Sequence, residues 1–357
     1  MGLVASIGVP FSNKTENFRG RHPTSRKAID PSRVSRATLA SRQFTRWLAA
    51  ANAILRRACP RVRRKPQMVF GQVLRRIRRA AIGQLLTESQ EQTRLMRNQH
   101  DFLLNMKWAM AAQDFQNPLN HFGAKFFSQS DEDGITLEII RRLELKTGTF
   151  LEFGVGDGTE NNTLVLLSIG WRGAWVGGEN LAFDPHVNPK RLFYKKAWVS
   201  LDNINELVRS ALSALTASDV DVLNVDLDGN DLYFTEALLN VLHPKLVIVE
   251  YNAKFPPPAR WSVEYDANFR WDGTDYQGAS LASFCDLLAR FGYTLVCCNA
   301  ATGVNAFFVN NNYRTAFKDV PQDINKIFIS PKFQLPVHFG HPASPKTIAQ
   351  MLSSNAQ

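Results

Sequence analysis

Apolar residues are arranged in two different ways along this chain. Up to about residue 100 they recur at helical spacing among arginines, and from about residue 115 short apolar runs alternate with amphipathic segments. Short apolar runs bounded by polar turns are typical of buried strands, whereas a period near 3.6 residues is typical of helices. The pattern predicts strands at 149–153, 174–177, 196–199, 220–226, 245–251, 293–298 and 305–309, and helices at 131–144, 161–169, 203–215, 232–241 and 279–291.

This alternation predicts an α/β fold. Strands that alternate with helices form a mainly parallel, doubly wound sheet that is covered on both faces. The last two predicted strands are joined only by Asn299 to Val304, a connection that is too short for a parallel crossover. We therefore expect these two strands to pair in the antiparallel sense.

The first hundred residues are strongly basic. They hold 21 Lys and Arg against 4 Asp and Glu, whereas the whole chain has a net charge of +10, so residues 101–357 carry −7. We expect residues 1–40 to be a disordered basic tail, and residues 41–114 to be a basic amphipathic helical arm. Such an arm either stays solvated, docks a partner or binds an anionic membrane surface, here through residues 41–86.

Charge and cysteine content limit the partners and the cellular location that we expect for this protein. Because the acidic part of the chain is separate from the basic arm, we do not expect nucleic acid to be a partner. The four cysteines have no metal-ligand spacing and indicate a reducing compartment, so we expect a cytoplasmic protein, with peripheral membrane attachment as an option. No apolar run has the length of a bilayer span. Nothing in the sequence indicates an oligomeric state.

The segment "FLEFGVGDGTENNT" places three glycines at alternate positions after a predicted strand. Such glycines let the backbone approach a ligand closely. A phosphate loop would need a lysine after the last glycine, and a dinucleotide fingerprint would need glycine where Thr159 stands. The remaining pattern, Glu152 followed by Gly154, Gly156 and Gly158, resembles motif I of class I S-adenosylmethionine (SAM) methyltransferases. Under this resemblance all four residues would contact SAM.

Acidic residues also follow the second and third predicted strands. In a doubly wound sheet, ligands bind at the carboxyl ends of the strands, near the point where the strand order reverses. Glu179 is therefore a candidate for binding the ribose hydroxyls of the cofactor. Asp202 is a candidate for adenine recognition, although it and Asn203 could equally cap the next helix.

The ends of the fourth and fifth predicted strands hold the candidate catalytic groups. Carboxylates crowded as in "VDLDGND" are costly unless they bind something, and the alternative is an Asx-rich turn. We expect Asp228 to be the general base, with Glu250 second and Asp226 beside them. The candidate substrate-binding residues are Asn230, Asp231, Tyr251, Asn252 and Tyr276. A hard divalent cation is conceivable on these oxygens, but the spacing does not establish one, and no metal is assigned.

Taken in order, the motifs resemble the FkbM-type methyltransferases over roughly residues 115–320. The segments that carry the resemblance are "FSQSDEDGI", "FLEFGVGDGTENNT", "GWRGAWVGGE", "KKAWVSLDNIN", "DVLNVDLDGNDLYFTEAL", "LVIVEYN", "YQGASL" and "GYTLVCCNAATGVNAFFV". The resemblance implies a Rossmann-like sheet of seven strands, mostly parallel with an antiparallel last strand, and SAM as the methyl donor. It also implies a hydroxyl acceptor on a sugar, polysaccharide or secondary metabolite. Residues 321–357 would be a C-terminal extension.

Two other functions stay open at this point. One is a non-catalytic scaffold with a methyltransferase fold, tethered by its basic arm, and the other is an RNA methyltransferase that uses the arm to hold its substrate. The long segment between the fifth strand and the next helix is rich in aromatic residues and Arg. We interpret this segment either as a recognition surface for a small-molecule or glycan substrate or as a structural flap.

Overall fold

The computed structural model describes residues 66–112 and 115–331, together with Ile348 and Leu352. The chain divides into two compact units, Met1–Leu86 and Thr87–Gln357, which are described separately.

Helix α1, Pro66–Ala112, is the first described element, and the boundary between the two units falls within it. It lies within residues 41–114, the range for which the sequence predicts a basic helical arm, and it is 47 residues long. The predicted tail at residues 1–40 and the first part of the predicted arm, residues 41–65, lie outside the described residues. None of the described helices has both the length and the apolar character needed to cross a bilayer.

The described part of the second unit contains one sheet of seven strands. The strands are β1 (Thr149–Phe153), β2 (Arg172–Gly177), β3 (Leu192–Lys196), β4 (Val222–Val225), β5 (Leu246–Glu250), β6 (Tyr293–Cys298) and β7 (Asn305–Asn310). Their order is β3-β2-β1-β4-β5-β7-β6, and β7 runs antiparallel to the other six strands. The short β6–β7 connection therefore gives the expected antiparallel pair, and the sheet confirms the predicted Rossmann-like fold class.

Helices connect most of the strands, as the sequence predicts. They are α2 (Glu132–Arg142), α3 (Leu164–Ser168), α4 (Ile204–Leu215), α5 (Asp231–Leu239), α6 (Leu281–Arg290) and α7 (Ile324–Ile327). Helices α4, α5 and α6 pack side by side, and α4 covers β2 and β3. The apolar residues of α4, such as Ile204, Val208 and Ala211, recur at helical spacing and are buried, so this periodicity alone fixes its orientation on the sheet.

The central strands are buried on both faces. Every residue of β1 and of β4 is buried, and β5 is buried except for Glu250 at its carboxyl end. Strands that are buried on both faces have continuous apolar sequences, and the sequence therefore predicts the positions of these strands accurately.

The prediction for the third strand was wrong. We expected it at residues 196–199, but β3 ends at Lys196. Strand β3 lies at the edge of the sheet, so its last residues, Lys195 and Lys196, are exposed. These charged residues interrupt the apolar pattern from which a strand would be predicted. Trp198 follows the strand and contacts a loop instead, because its ring nitrogen donates to the carbonyl of Ala267 (2.8 Å).

The strand order reverses between β1 and β4. From β1 the chain continues outward to β2 and β3, and then crosses to β4 and β5 on the other side. The connections that leave the carboxyl ends of β1 and β4 therefore diverge, and a crevice opens between them.

Candidate active site

A cavity of about 420 Å³ opens at the carboxyl ends of β1 and β4. It lies where a doubly wound sheet binds its ligands. The segment that begins α2, the turn after β1 and the polar ends of β4, β5 and β7 surround it. The lining residues are Gln129, Glu132, Glu152, Gly154, Val155, Gly156, Asp157, Thr159, Glu160, Asn161, Asn162, Asp226, Asp228, Glu250 and Asn305.

Two glycines of the turn after β1 serve different purposes. Gly154 has a φ of +90°, and a Cβ at this position would lie 1.4 Å from the carbonyl oxygen of Asp226, so β1 and the end of β4 could not approach each other. Gly156 has a φ of +50°, and a Cβ there would have no atom within 4 Å. Because Gly156 lines the cavity, its missing side chain leaves space for a ligand. The third predicted residue, Gly158, packs against Leu181 and Phe183 and does not line the cavity.

Glu152 is buried and organises the polypeptide after the glycine turn. Its carboxylate accepts hydrogen bonds from the backbone N–H groups of Asn162 (3.1 Å) and Thr163 (3.2 Å), from the Thr163 hydroxyl and from the Asn224 amide (3.0 Å). Burial raises the pKa of Glu152 to about 7. Glu152 also lines the cavity, so it lies where a ligand in the cavity could contact it.

Three predicted catalytic carboxyls come together at the ends of β4 and β5. One oxygen each from Asp226, Asp228 and Glu250 lies within 4.8 Å of the others. Burial raises the pKa of Asp226 and of Glu250 well above the usual range, and the neighbouring carboxylates raise both further. Without a ligand, this pair therefore retains a proton at pH values where an ordinary carboxyl has lost it.

The predicted substrate-binding residues Asn230 and Asp231 hold loops and do not line the cavity. The Asp231 carboxylate accepts from the N–H groups of Leu227 (2.6 Å) and Gly229 (2.8 Å), so it closes the turn that presents Asp228. The Asn230 side chain donates to the carbonyl of Asp266 (2.7 Å) and accepts from its N–H (3.2 Å). Asn230 thereby fastens the long segment 253–280 between β5 and α6, here called the aromatic loop, to the end of β4.

The other three predicted substrate-binding residues lie outside the cavity as well. Tyr251 is buried in the hydrophobic core. The Asn252 amide donates to the carbonyls of Asp275 (2.8 Å) and Gln277 (3.0 Å), so it fixes the end of the aromatic loop. Tyr276 is 50% exposed on that loop. A substrate can reach Tyr276, whereas Tyr251 and Asn252 have structural roles.

Glu179 and Asp202 are exposed after β2 and β3, outside the cavity lining. Their place at the carboxyl edge is the one predicted for ribose and adenine contacts. The side-chain oxygen of Asn203 accepts from the N–H of Ser200 (2.9 Å), so Asn203 holds the turn before α4. The cofactor contacts of Glu179 and Asp202 stay predictions.

Sequence reasoning missed Glu132 and Asn305. Both are buried and line the cavity, and the Asn305 amide donates to the Glu132 carboxylate (3.1 Å). The same carboxylate accepts from the amide of Asn299 (3.0 Å), so α2 is tied to the β6–β7 connection. The acidic run "SDED" (residues 130–133) at the start of α2 was the available signal, because carboxyls that stand together at the start of a helix need partners.

The cavity is strongly acidic. Seven of its lining side chains are carboxylic acids, and none of the lining residues that the structure describes is Lys, Arg or His. The negative potential of such a cavity repels a polyphosphate and attracts a ligand with net positive charge.

Comparisons with known proteins identify only distant structural similarities. A scan against protein-family models gives no match, and a search of curated proteins gives none either. The N-terminal domain of EvdMO1 with SAH bound is similar over 58% of this chain and 96% of its own, with 12% identity and a TM-score of 0.32. An O-methyltransferase from Bacillus cereus in complex with SAH shows 15% identity, coverages of 44% and 67%, and a TM-score of 0.25.

A third solved structure is the Burkholderia thailandensis 1,6-didemethyltoxoflavin-N1-methyltransferase with bound 1,6-didemethyltoxoflavin and S-adenosylhomocysteine. It shares 14% identity over 48% of this chain and 73% of its own, with a TM-score of 0.29. Because these scores are low, the function has to be inferred from the residues of the cavity.

Proposed function

We propose that the protein is a SAM-dependent methyltransferase that methylates a hydroxyl of a sugar, polysaccharide or secondary metabolite. The observation that carries this proposal is the acidic cavity beside the glycine turn, which has no basic side chain among its described lining residues. SAM has a sulfonium, an ammonium and one carboxylate, so its net charge is positive. NAD and ATP are polyanions, and the same cavity disfavours them.

In this proposal, the turn after β1 contacts the methionyl part of the cofactor, and residues at the carboxyl edge of the sheet contact its ribose and adenine. The backbone around Gly156 has open space above it for the methionyl part. Glu152 lines the cavity, where its carboxylate stabilises positive charge on the ligand. Glu179 binds the ribose hydroxyls and Asp202 lies nearest the adenine in this arrangement.

The carboxyl cluster is placed to assist the acceptor. SAM supplies a methyl group on a positively charged sulfur, so an acceptor oxygen displaces S-adenosylhomocysteine in one step. A neutral hydroxyl is a weak nucleophile, and a nearby base therefore accelerates its attack. Asp228 is the first candidate for this base because it is the most exposed of the three carboxylates, and Glu250 is the second. Asp226 lies beside both, at the end of β4.

The aromatic loop supports a polar, ring-containing acceptor. Trp271 and Tyr276 are both 50% exposed on this loop, which Asn230 fastens to the end of β4. Exposed aromatic faces beside carboxylates suit a carbohydrate or another polar ring. This location makes the loop the proposed determinant of substrate choice.

The space above Gly156 gives a direct test. Replacing Gly156 by Leu fills the cavity, so we expect SAM affinity to fall at least roughly tenfold, which is about 1.4 kcal/mol. Gly292 is a matched control, because it also has a positive φ, of +80°, and no atom within 4 Å of an added Cβ, but it lies between α6 and β6. Isothermal titration calorimetry with SAM should separate Gly156→Leu from Gly292→Leu. Equal affinities for the two folded variants would refute the proposed ligand position.

A further inference from the structure

The carboxyl cluster has a feature that binding SAM does not by itself explain: three acids line the same cavity as a buried amide oxygen. We propose that Asp226, Asp228 and Glu250 bind a divalent cation of the Mg²⁺ class, with the amide oxygen of Asn305 beside it. The role assigned to this ion rests on the proposed function, whereas its binding can be measured separately.

The three carboxylates form a compact set of donors. They extend from the ends of the adjacent parallel strands β4 and β5, and one oxygen of each lies within 4.8 Å of the other two. Oxygen ligands of Mg²⁺ at about 2.1 Å from the ion are about 3–4 Å apart. Small side-chain rotations are therefore enough to bring these oxygens to a common ion.

Asn305 provides a second, independent observation. Its side chain is only 6% exposed and lines the cavity, and its register position on β7 is opposite Glu250. The amide nitrogen donates to Glu132, which fixes the orientation of the group, while the amide oxygen has no hydrogen-bond partner among the residues that the structure describes. A buried acceptor without a partner is costly, and an ion or a water molecule on the ion would satisfy it.

No basic side chain among the described residues neutralises the charge of the cluster. None of the salt bridges within the described residues involves Asp226, Asp228 or Glu250. The lining residues add further carboxyls, such as Glu132 and Glu152, and no basic group. Like charges this close repel each other strongly, so a divalent cation would stabilise the cluster in its ionised form.

The donor chemistry selects the class of metal. Carboxylate and amide oxygens are hard ligands that favour Mg²⁺, Mn²⁺ or Ca²⁺ over metals that prefer sulfur or imidazole. An ion at this place would bind the acceptor hydroxyl and lower its pKa, so that a cluster oxygen removes its proton more easily.

Mn²⁺ is a suitable probe because it takes the same ligands as Mg²⁺ and is visible by electron paramagnetic resonance. We expect the full chain to bind one Mn²⁺ that Mg²⁺ displaces, and Asp228→Asn and Glu250→Gln to weaken this binding at least roughly tenfold. Asp228 has a φ of +58°, which Asn tolerates well, so Asp228→Asn should keep the fold. Glu160→Gln is the control, because it removes a cavity carboxyl outside the cluster and should change Mn²⁺ affinity less than about threefold.

No Mn²⁺ binding by the wild-type chain at millimolar concentration would overturn the proposal. Binding that Asp228→Asn and Glu250→Gln leave unchanged, or that Glu160→Gln weakens equally, would overturn it as well. SAM titrations on the same samples separate this outcome from the proposed function. SAM binding without Mn²⁺ binding would refute only the proposed ion site. Mn²⁺ binding without SAM binding would refute the methyltransferase assignment and would support the metal site.

Discussion

At the scale of single residues, Glu152 combines structural and ligand-facing roles. The sequence places it at the end of β1, where the resemblance to motif I predicts a contact with the cofactor. The structure adds that its carboxylate accepts hydrogen bonds from Asn162, Thr163 and Asn224. Loss of this side chain should therefore affect folding as well as binding.

We expect Glu152→Ala to lower the free energy of unfolding by about 3 kcal/mol or more, because each buried donor left without a partner costs about 1–3 kcal/mol. Glu160→Ala is the matched control, since Glu160 is an exposed acid of the same cavity and should cost less than about 0.5 kcal/mol. Urea denaturation monitored by circular dichroism gives both values. A Glu152→Ala variant as stable as Glu160→Ala would show that the hydrogen-bond network contributes little.

At the scale of elements, the sequence predicts what short-range patterns determine. The buried strand β1 and the glycine turn follow from local apolar runs and from the backbone freedom of glycine, and both are confirmed. Strand β3 could not be placed in this way, because an edge strand is half-exposed and its lysines obscure the apolar pattern. What an edge strand buries depends on its neighbour, which the local sequence does not reveal.

The same limit applies to the site. Asp226, Asp228 and Glu250 could be predicted because they end consecutive parallel strands, whose carboxyl ends share one edge. Tyr251 was assigned to the same edge, but it follows Glu250 directly and lies in the core, because successive side chains point to opposite sides of an extended chain. Asn305 reaches the cavity only through the β5–β7 register, which requires the folded sheet.

At the scale of the whole molecule, charge is distributed very unevenly. The first hundred residues are basic, and residues 101–357 carry a net charge of −7. In the described part of the second unit, acids are concentrated at the cavity and at the start of α2. Several of these acids are kept out of water, and the stability of this unit should therefore depend on pH.

We predict that the protein without ligands has a lower Tm at about pH 8 than at about pH 5.5. Burial raises the pKa of Asp131, Asp133 and Asp231 to about 6, and that of Glu152 to about 7. The folded state then binds these protons more tightly than the unfolded state, so their stabilisation is full below about pH 4 and is lost as the pH rises through 6 to 7. Differential scanning fluorimetry gives the Tm. Glu152→Gln should reduce the difference between the two pH values, and a Tm that rises with pH would contradict the assigned shifts.

The central claim is that the acidic cavity binds SAM. The most direct measurement is calorimetric titration of the full chain with SAM, with NAD and ATP titrated under the same conditions. The account predicts one SAM per chain, with affinity that falls as salt is added, and no measurable binding of either polyanion. Absence of SAM binding at millimolar concentration, or binding of NAD or ATP in its place, would contradict it.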